Sequence, residues 1–251
     1  MIQRLQVTRP ALGAGLAWIQ SAIVLLRQGF IAWVGLASAV LLALLLVGLA
    51  GAGAALASFA GPFVVALFML AADQTRQGER FSFLTLPAQL RPVLSPLLWL
   101  AGANAVATAL ASLLIQKLAG SDLETIMRLA EGAAVAGADT PAAMQRHLDA
   151  ILPALWWAML IVLPISMASW FAPALILFDG FPVGRAMWWS LWVSVVNPLS
   201  MLFFALLLGG LWIVAMLLPY GIGLMLVLPL FMAATYASYR AIFHADADVK
   251  G

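Results

Sequence analysis

Arg27 is followed by 45 residues without a single Asp, Glu, Lys or Arg, a run that ends only at Asp73. Three further uncharged runs, 92–116, 150–178 and 186–239, are 25, 29 and 54 residues long. A helix rises about 1.5 Å per residue and the hydrocarbon core of a bilayer is about 30 Å thick, so one crossing takes about 20 apolar residues. The first and last runs each hold two crossings and the middle two hold one each. Gly48, Gly51 and Gly53 supply a turn inside the first run, and Pro219-Tyr220-Gly221 breaks the last. Spans are therefore predicted at 30–49, 55–72, 93–116, 152–177, 199–218 and 221–243. The composition agrees: at 65% hydrophobic and 9% charged, a chain of 251 residues carries more apolar surface than a water-soluble globule of that size can bury. The expected fold is an all-α polytopic membrane protein with six transmembrane helices.

Positive residues resist translocation, so their placement sets orientation. Arg4, Arg9, Arg27, Arg76, Arg80, Arg91, Arg185, Arg240 and Lys250 fall on one side of the predicted spans. Lys117, Arg128 and Arg146 fall on the other, among Asp122, Glu124, Glu131, Asp139 and Asp149. Both termini are expected in the cytoplasm, and the membrane is expected to be a bacterial inner membrane. A seventh crossing at 11–26 is the alternative, but it puts Gln20 and Ser21 at mid-bilayer and leaves Arg27-Gln28-Gly29 little room to turn. The N-terminus lacks a short apolar core followed by a small-residue cleavage site, so a cleaved signal peptide is not expected.

Residues 1–29 instead read as a cytoplasmic interfacial amphipathic helix, with Leu12, Leu16, Ile19, Ile23 and Leu26 on one side and Gln20, Ser21, Arg27 and Gln28 on another. A second interfacial helix is expected at 182–196, where Ser190, Ser194 and Asn197 form a thin polar stripe and Trp188, Trp189 and Trp192 suit headgroup depth. A shorter one is expected at 82–91. Each precedes a pair of spans, so the single membrane domain, 1–251, divides into three hairpins that resemble a threefold repeat. Its sections are 1–29, the spans within 30–118, a periplasmic helical loop at 119–150, the spans within 151–243, and a cytoplasmic tail at 244–251. In the loop, Ser121-Asp122-Leu123-Glu124 reads as a capping box and Thr140-Pro141 as a cap and first helical position, around a connector at 132–138. Two short amphipathic helices, resting on the membrane or capping the bundle, are expected there; a ligand-gating lid is the other reading.

Every charge lies at a span end or in a connection, so proton- or ion-coupled pumping lacks its usual carriers. Asn104, Ser166 and Ser169 are the candidate polar residues at depth, either as interhelical hydrogen-bonding groups or as solute contacts. Pro164 and Pro173 are expected to loosen the fourth span and free carbonyls near Leu160 and Ser169. Asp73, Asp179 and Arg240 recur at cytoplasmic span ends, where with Arg76, Arg80 and Arg185 they form a polar cluster or are simply solvated boundary charges. Asp73, Glu79 and the nearby arginines suit a phosphate-bearing headgroup, and are also ordinary positive-inside flanks. Gly48, Gly51 and the pair Gly209-Gly210 are candidates for close helix contacts. No cofactor or metal is expected: cysteine is absent, and His147 and His244 fall on opposite sides of the membrane. A net charge of +2 argues against a nucleic-acid partner.

The segment 170–199, WFAPALILFDGFPVGRAMWWSLWVSVVNPL, resembles part of a proteobacterial group of inner-membrane proteins, the BPSS-type family. Gly15-x-x-Trp18-Ile19, the stretch 72–82 and the stretch 235–244 are similar to corresponding segments of that group; 119–150 is not. The resemblance implies the topology and no activity. On the sequence alone the expected function is that of a non-enzymatic accessory or scaffolding component, in contact with membrane lipids and with other membrane proteins or copies of itself. The alternative is a transporter or flippase for a small or lipidic solute.

Overall fold

A computed structural model of the protein describes residues 8–49, 53–82, 84–130 and 141–244. Within these it is helical without strands: α1 (Ala14–Gln28), α2 (Phe30–Leu49), α3 (Gly53–Arg76), α4 (Leu86–Gln89), α5 (Leu94–Ala130), α6 (Pro141–Trp170), α7 (Ala172–Asp179), α8 (Val183–Val196), α9 (Pro198–Leu217) and α10 (Ile222–Phe243). Six stretches are long and apolar enough to cross a membrane: Phe30–Leu49, Leu56–Arg76, Arg91–Arg128, Met144–Asp179, Pro198–Leu217 and Ile222–Phe243. The molecule is a multi-pass α-helical membrane protein, with spans where the uncharged runs place them.

One end of the bundle gathers the charged span ends, and we call it the inner face. There Tyr236 meets Asp73, Tyr239 meets Asp179, Trp33 meets Phe81, and Gln74 meets Gln89. The first described residues are pinned to the same face, with the Thr8 N–H donating to the Ile242 carbonyl and Ser200 donating to the Pro10 carbonyl.

α1 does not span. Its 15 residues reach about 22 Å at 1.5 Å per residue. It also differs from the expected interfacial helix in its buried face, which consists of Gly15, Trp18, Ala22 and Leu25 packed against α9 and α10, while Leu12, Leu16 and Ile23 stay exposed. The reason is fit: Gly15 lies so close to α9 that a Cβ there would sit 3.4 Å from the Phe204 Cα, and Trp18 packs edge-on against Phe204 at 5.0 Å. A second close approach joins α9 and α10, where a Cβ on Gly223 would fall 2.3 Å from the Ala215 carbonyl oxygen. A Cβ on Gly48, Gly209 or Gly210, in contrast, would meet nothing within 4 Å, so the small-residue pairs prominent in sequence are not where these helices touch; Gly51 lies outside the described residues.

At the opposite end the loop expected at 119–150 is a continuation of two spans. α5 bends at Ala119, the single non-helical residue within it (φ −144°, ψ 23°), and runs on to Ala130. The described part of α6 runs from Pro141 and continues unbroken into the fourth span, while Thr140, the expected cap, lies outside the described residues. Ala119, Ile151 and Ala154 pack together there with Ile126, and His147 Nδ1 lies 2.7 Å from Asp122 Oδ1. The connector at 132–138 lies outside the described residues.

The fourth span breaks between α6 and α7. Pro173 has no N–H for the preceding turn and crowds it, and the gap is closed by a side chain from α8. The Phe171 N–H donates to Ser190 Oγ at 3.0 Å, and that hydroxyl donates to the Met167 carbonyl at 2.7 Å. In an unbroken helix those two backbone groups would bond each other, so Ser190 is inserted into the ladder. The polar stripe of α8 therefore faces protein: Ser190, Ser194 and Asn197 are buried, and Trp188 and Trp192, stacked at 6.4 Å, are exposed on the other side.

Candidate functional site

Asn104 sits ten residues into α5, about 15 Å from its inner start and so near mid-membrane. One hydrogen of its Nδ2 goes to the Leu100 carbonyl at 2.9 Å and the other to Ser169 Oγ on α6 at 3.0 Å. With both hydrogens used, the carbonyl Oδ1 is left as an acceptor with no donor among the described residues. The pair borders a half-open recess of about 320 Å³ between α3, α5, α6 and α10, with Pro173 of α7 at one corner. Ser166, which is exposed, lines it too, so all three candidates border one recess. Thr108 donates to Ser58 Oγ at 2.8 Å across its α3–α5 wall, and Trp170, Phe231 and Met232 supply apolar lining. No charged residue lines it. Its volume falls at the lower end of the range for small-molecule pockets, roughly 300–1,000 Å³.

The cavity exists because the surrounding residues are small or broken in backbone. Gly61 and Pro62 on α3, Ala107 on α5 and Pro173 beside the α6–α7 break leave space that a Leu or Phe at the same positions would fill. A Cβ on Gly61 would meet nothing within 4 Å.

The inner-face residues form two linked groups. On α3, Asp73 Oδ1 accepts from the Tyr236 hydroxyl at 2.6 Å and from Arg76 Nη2 at 3.2 Å, while Arg76 Nε donates to the Tyr236 oxygen at 2.9 Å, closing a three-residue ring. Gln77 Nε2 donates to the other carboxylate oxygen. At the end of α7, Asp179 Oδ2 accepts from the Tyr239 hydroxyl at 2.6 Å, and His244 Nε2 lies 2.8 Å from that hydroxyl and 3.3 Å from Asp179 Oδ1. Tyr239 has one proton and directs it at the carboxylate, so the hydrogen of the Tyr239–His244 contact comes from Nε2–H. Phe178 packs on both tyrosine rings, at 6.1 and 5.9 Å, and joins the groups. Two carboxylates held by hydroxyls from the last span thus tie α3 and α7 to α10 immediately inward of the cavity, whose wall ends at Thr235.

Of the residues singled out in sequence, Asn104, Ser166 and Ser169 meet in the cavity, and Asp73 and Asp179 meet α10. Arg185 joins neither group; its guanidinium lies over the Phe181 ring at 4.3 Å. Arg240 is half-buried on α10, next in chain to Tyr239. Arg80 is placed elsewhere, beside the start of α2. Sequence reasoning missed Ser58, Thr108, Tyr236, Tyr239 and the role of His244. Lone hydroxyls in apolar spans carry no distinguishing signal. The tyrosines did carry one: the chain has three, and two stand three residues apart on the inner end of the last span.

Comparison of the chain with protein-family models, with curated proteins and with solved structures returns no match.

Proposed function

We propose that this multi-pass membrane protein binds an uncharged solute or lipidic amphiphile in the cavity at mid-membrane, as a non-enzymatic transporter or flippase. The observation that carries the reading is the convergence of Asn104, Ser166 and Ser169 on one uncharged cavity inside the bilayer region. A purely scaffolding role, the reading favoured by sequence alone, does not call for polar side chains from separate helices to converge on one recess in an otherwise apolar bundle. The polar groups that face the cavity suit a neutral ligand: the Asn104 carbonyl accepts a hydrogen bond, and the Ser166 and Ser169 hydroxyls donate or accept one. A charged ligand would find no counter-ion there. The same proposal places the protein in a bacterial inner membrane with its inner face toward the cytoplasm, by the arginine bias of that face, and within the BPSS-type group it resembles.

Gly61→Leu adds bulk to the recess from a position where a Cβ would meet nothing within 4 Å, and Asn104→Leu removes its acceptor. With full-length protein in proteoliposomes, fluorescent neutral lipids reporting transbilayer movement should move faster than in protein-free vesicles, and both variants should fall at least about tenfold toward the protein-free rate, a loss of about 1.4 kcal/mol. Equal movement with and without protein, together with no small molecule or lipid carried through purification by the wild type, would return the scaffolding reading to first place.

A further inference from the structure

Beside the inner end of α3 and on the far side of that helix from the cavity is a second recess of about 620 Å³, lined by Gln28 to Ala32 from the α1–α2 junction and by Thr75 and Gly78 to Phe81. Its shape is set by the way α3 stops. Gly78, at φ +77°, takes the left-handed position after the helix. The Gly78 N–H donates to the Thr75 carbonyl and the Glu79 N–H to the Gln74 carbonyl, the paired bonds of a Schellman ending. That turn reverses the chain and carries Glu79 and Arg80 to the rim of the recess, while Phe81 folds back edge-on against the buried Trp33 at 5.5 Å to make its floor. Gly29, at the α1–α2 junction, also lines the recess.

Glu79 and Arg80 are both exposed, and neither side chain makes a hydrogen bond or ion pair among the described residues, although they are neighbours in chain. One cation and one anion therefore stand unpaired on the same recess. The recess also lies at the inner ends of two apolar, span-length helices, α2 and α3, and its other flank is apolar and outward: Phe30 is 54% and Ile31 87% exposed at the first turn of α2. A soluble ion would use the charges and waste the apolar flank. An acyl chain would use the flank and waste the charges.

We propose that this recess binds the headgroup of a zwitterionic phospholipid bearing a primary amine, of the phosphatidylethanolamine type, from the inner leaflet. Arg80 receives the phosphate, for which a guanidinium offers paired N–H donors. Glu79 accepts from the ammonium, whose three N–H donors a quaternary amine lacks. Phe30 and Ile31 lie along the acyl chains. This site is separate from the mid-membrane cavity and does not depend on what that cavity holds.

The test is native mass spectrometry of the full-length protein in detergent, titrated with dioleoyl phosphatidylethanolamine, dioleoyl phosphatidylcholine, dioleoyl phosphatidylglycerol or inorganic phosphate. The wild type should retain one phosphatidylethanolamine about fivefold more strongly than either other lipid, the ratio expected of a single exposed charge interaction. Glu79→Gln and Arg80→Gln should each erase that preference, and Gly61→Leu, which alters only the cavity, should leave it intact. Equal retention of phosphatidylglycerol would mean a simple basic patch, and equal retention of phosphatidylcholine would mean that Glu79 has no part; either overturns the proposal. So does displacement of the lipid by inorganic phosphate alone, which would assign the recess to a soluble anion. The lipid comparison on the wild type stands even if a variant fails to fold.

Discussion

Ser190 shows how much one hydroxyl can do inside a membrane protein. It accepts from the Phe171 N–H and donates to the Met167 carbonyl, and so satisfies a backbone donor and acceptor that the α6–α7 break separates. Burial without such a partner costs about 1–3 kcal/mol per group. We expect Ser190→Ala to destabilise the purified protein by about 1–3 kcal/mol. Ser194→Ala should cost less than about 1 kcal/mol, because the Ser194 hydroxyl only bonds the Ser190 carbonyl one turn back. Denaturant-induced unfolding in detergent micelles, followed by circular dichroism, measures both, and equal losses would contradict the inserted-hydroxyl account. The stripe Ser190, Ser194 and Asn197 was legible as a stripe. Its direction was not: a polar face on a helix near the interface reads as solvent-facing until the broken span beside it is seen to need a donor and an acceptor.

Among the elements, α10 carries the assembly. It packs against α1, α2, α3 and α9, and its buried residues run from Gly223 at one end to Phe243 at the other. Tyr236 and Tyr239 turn this column into the tie between α3 and α7, through Asp73 and Asp179. Because the Asp73–Tyr236 bond closes a ring with Arg76, its two partners should not behave independently. A double-mutant cycle of Asp73→Asn and Tyr236→Phe should return a coupling of about 0.5–3 kcal/mol in the same unfolding assay. Additive losses would show the ring to be an incidental contact. In sequence the aspartates stood out, since charges at span ends are easy to see. The hydroxyls that hold them did not, because tyrosine at an interface is ordinary and only the placement of the inner end of α10 beside α3 and α7 gives it a carboxylate partner.

At the scale of the whole molecule, the three non-spanning helices pair cyclically. α4 packs on α3, the second helix of the hairpin before it; α8 packs on α6, the second helix of the next; and α1 closes the ring on α10, the second helix of the last. The elements are unequal, of 15, 4 and 14 residues for α1, α4 and α8. The orientation of the ring in the membrane is directly testable, because the chain has no cysteine to interfere. With an impermeant maleimide on cells, Gln145→Cys should label readily and Ser82→Cys only after the inner membrane is opened. The reverse pattern would place the inner face outside.

The number and position of the spans followed from sequence alone, because a charge in hydrocarbon costs so much that uncharged length reports crossing directly. The same reasoning found Asn104, Ser166 and Ser169 as the polar residues at depth. Whether those three were packing partners or the wall of a void depended on Gly61, Pro62, Ala107 and Pro173 coming together from separate helices, and no local pattern encodes that meeting. The close contacts at Gly15 and Gly223, the inward turn of the α8 stripe and the tyrosine ties of α10 were likewise decided by tertiary structure. Apolar surface is attracted to lipid and protein alike, so within a bilayer only shape and hydrogen-bond pairing choose which helix faces touch.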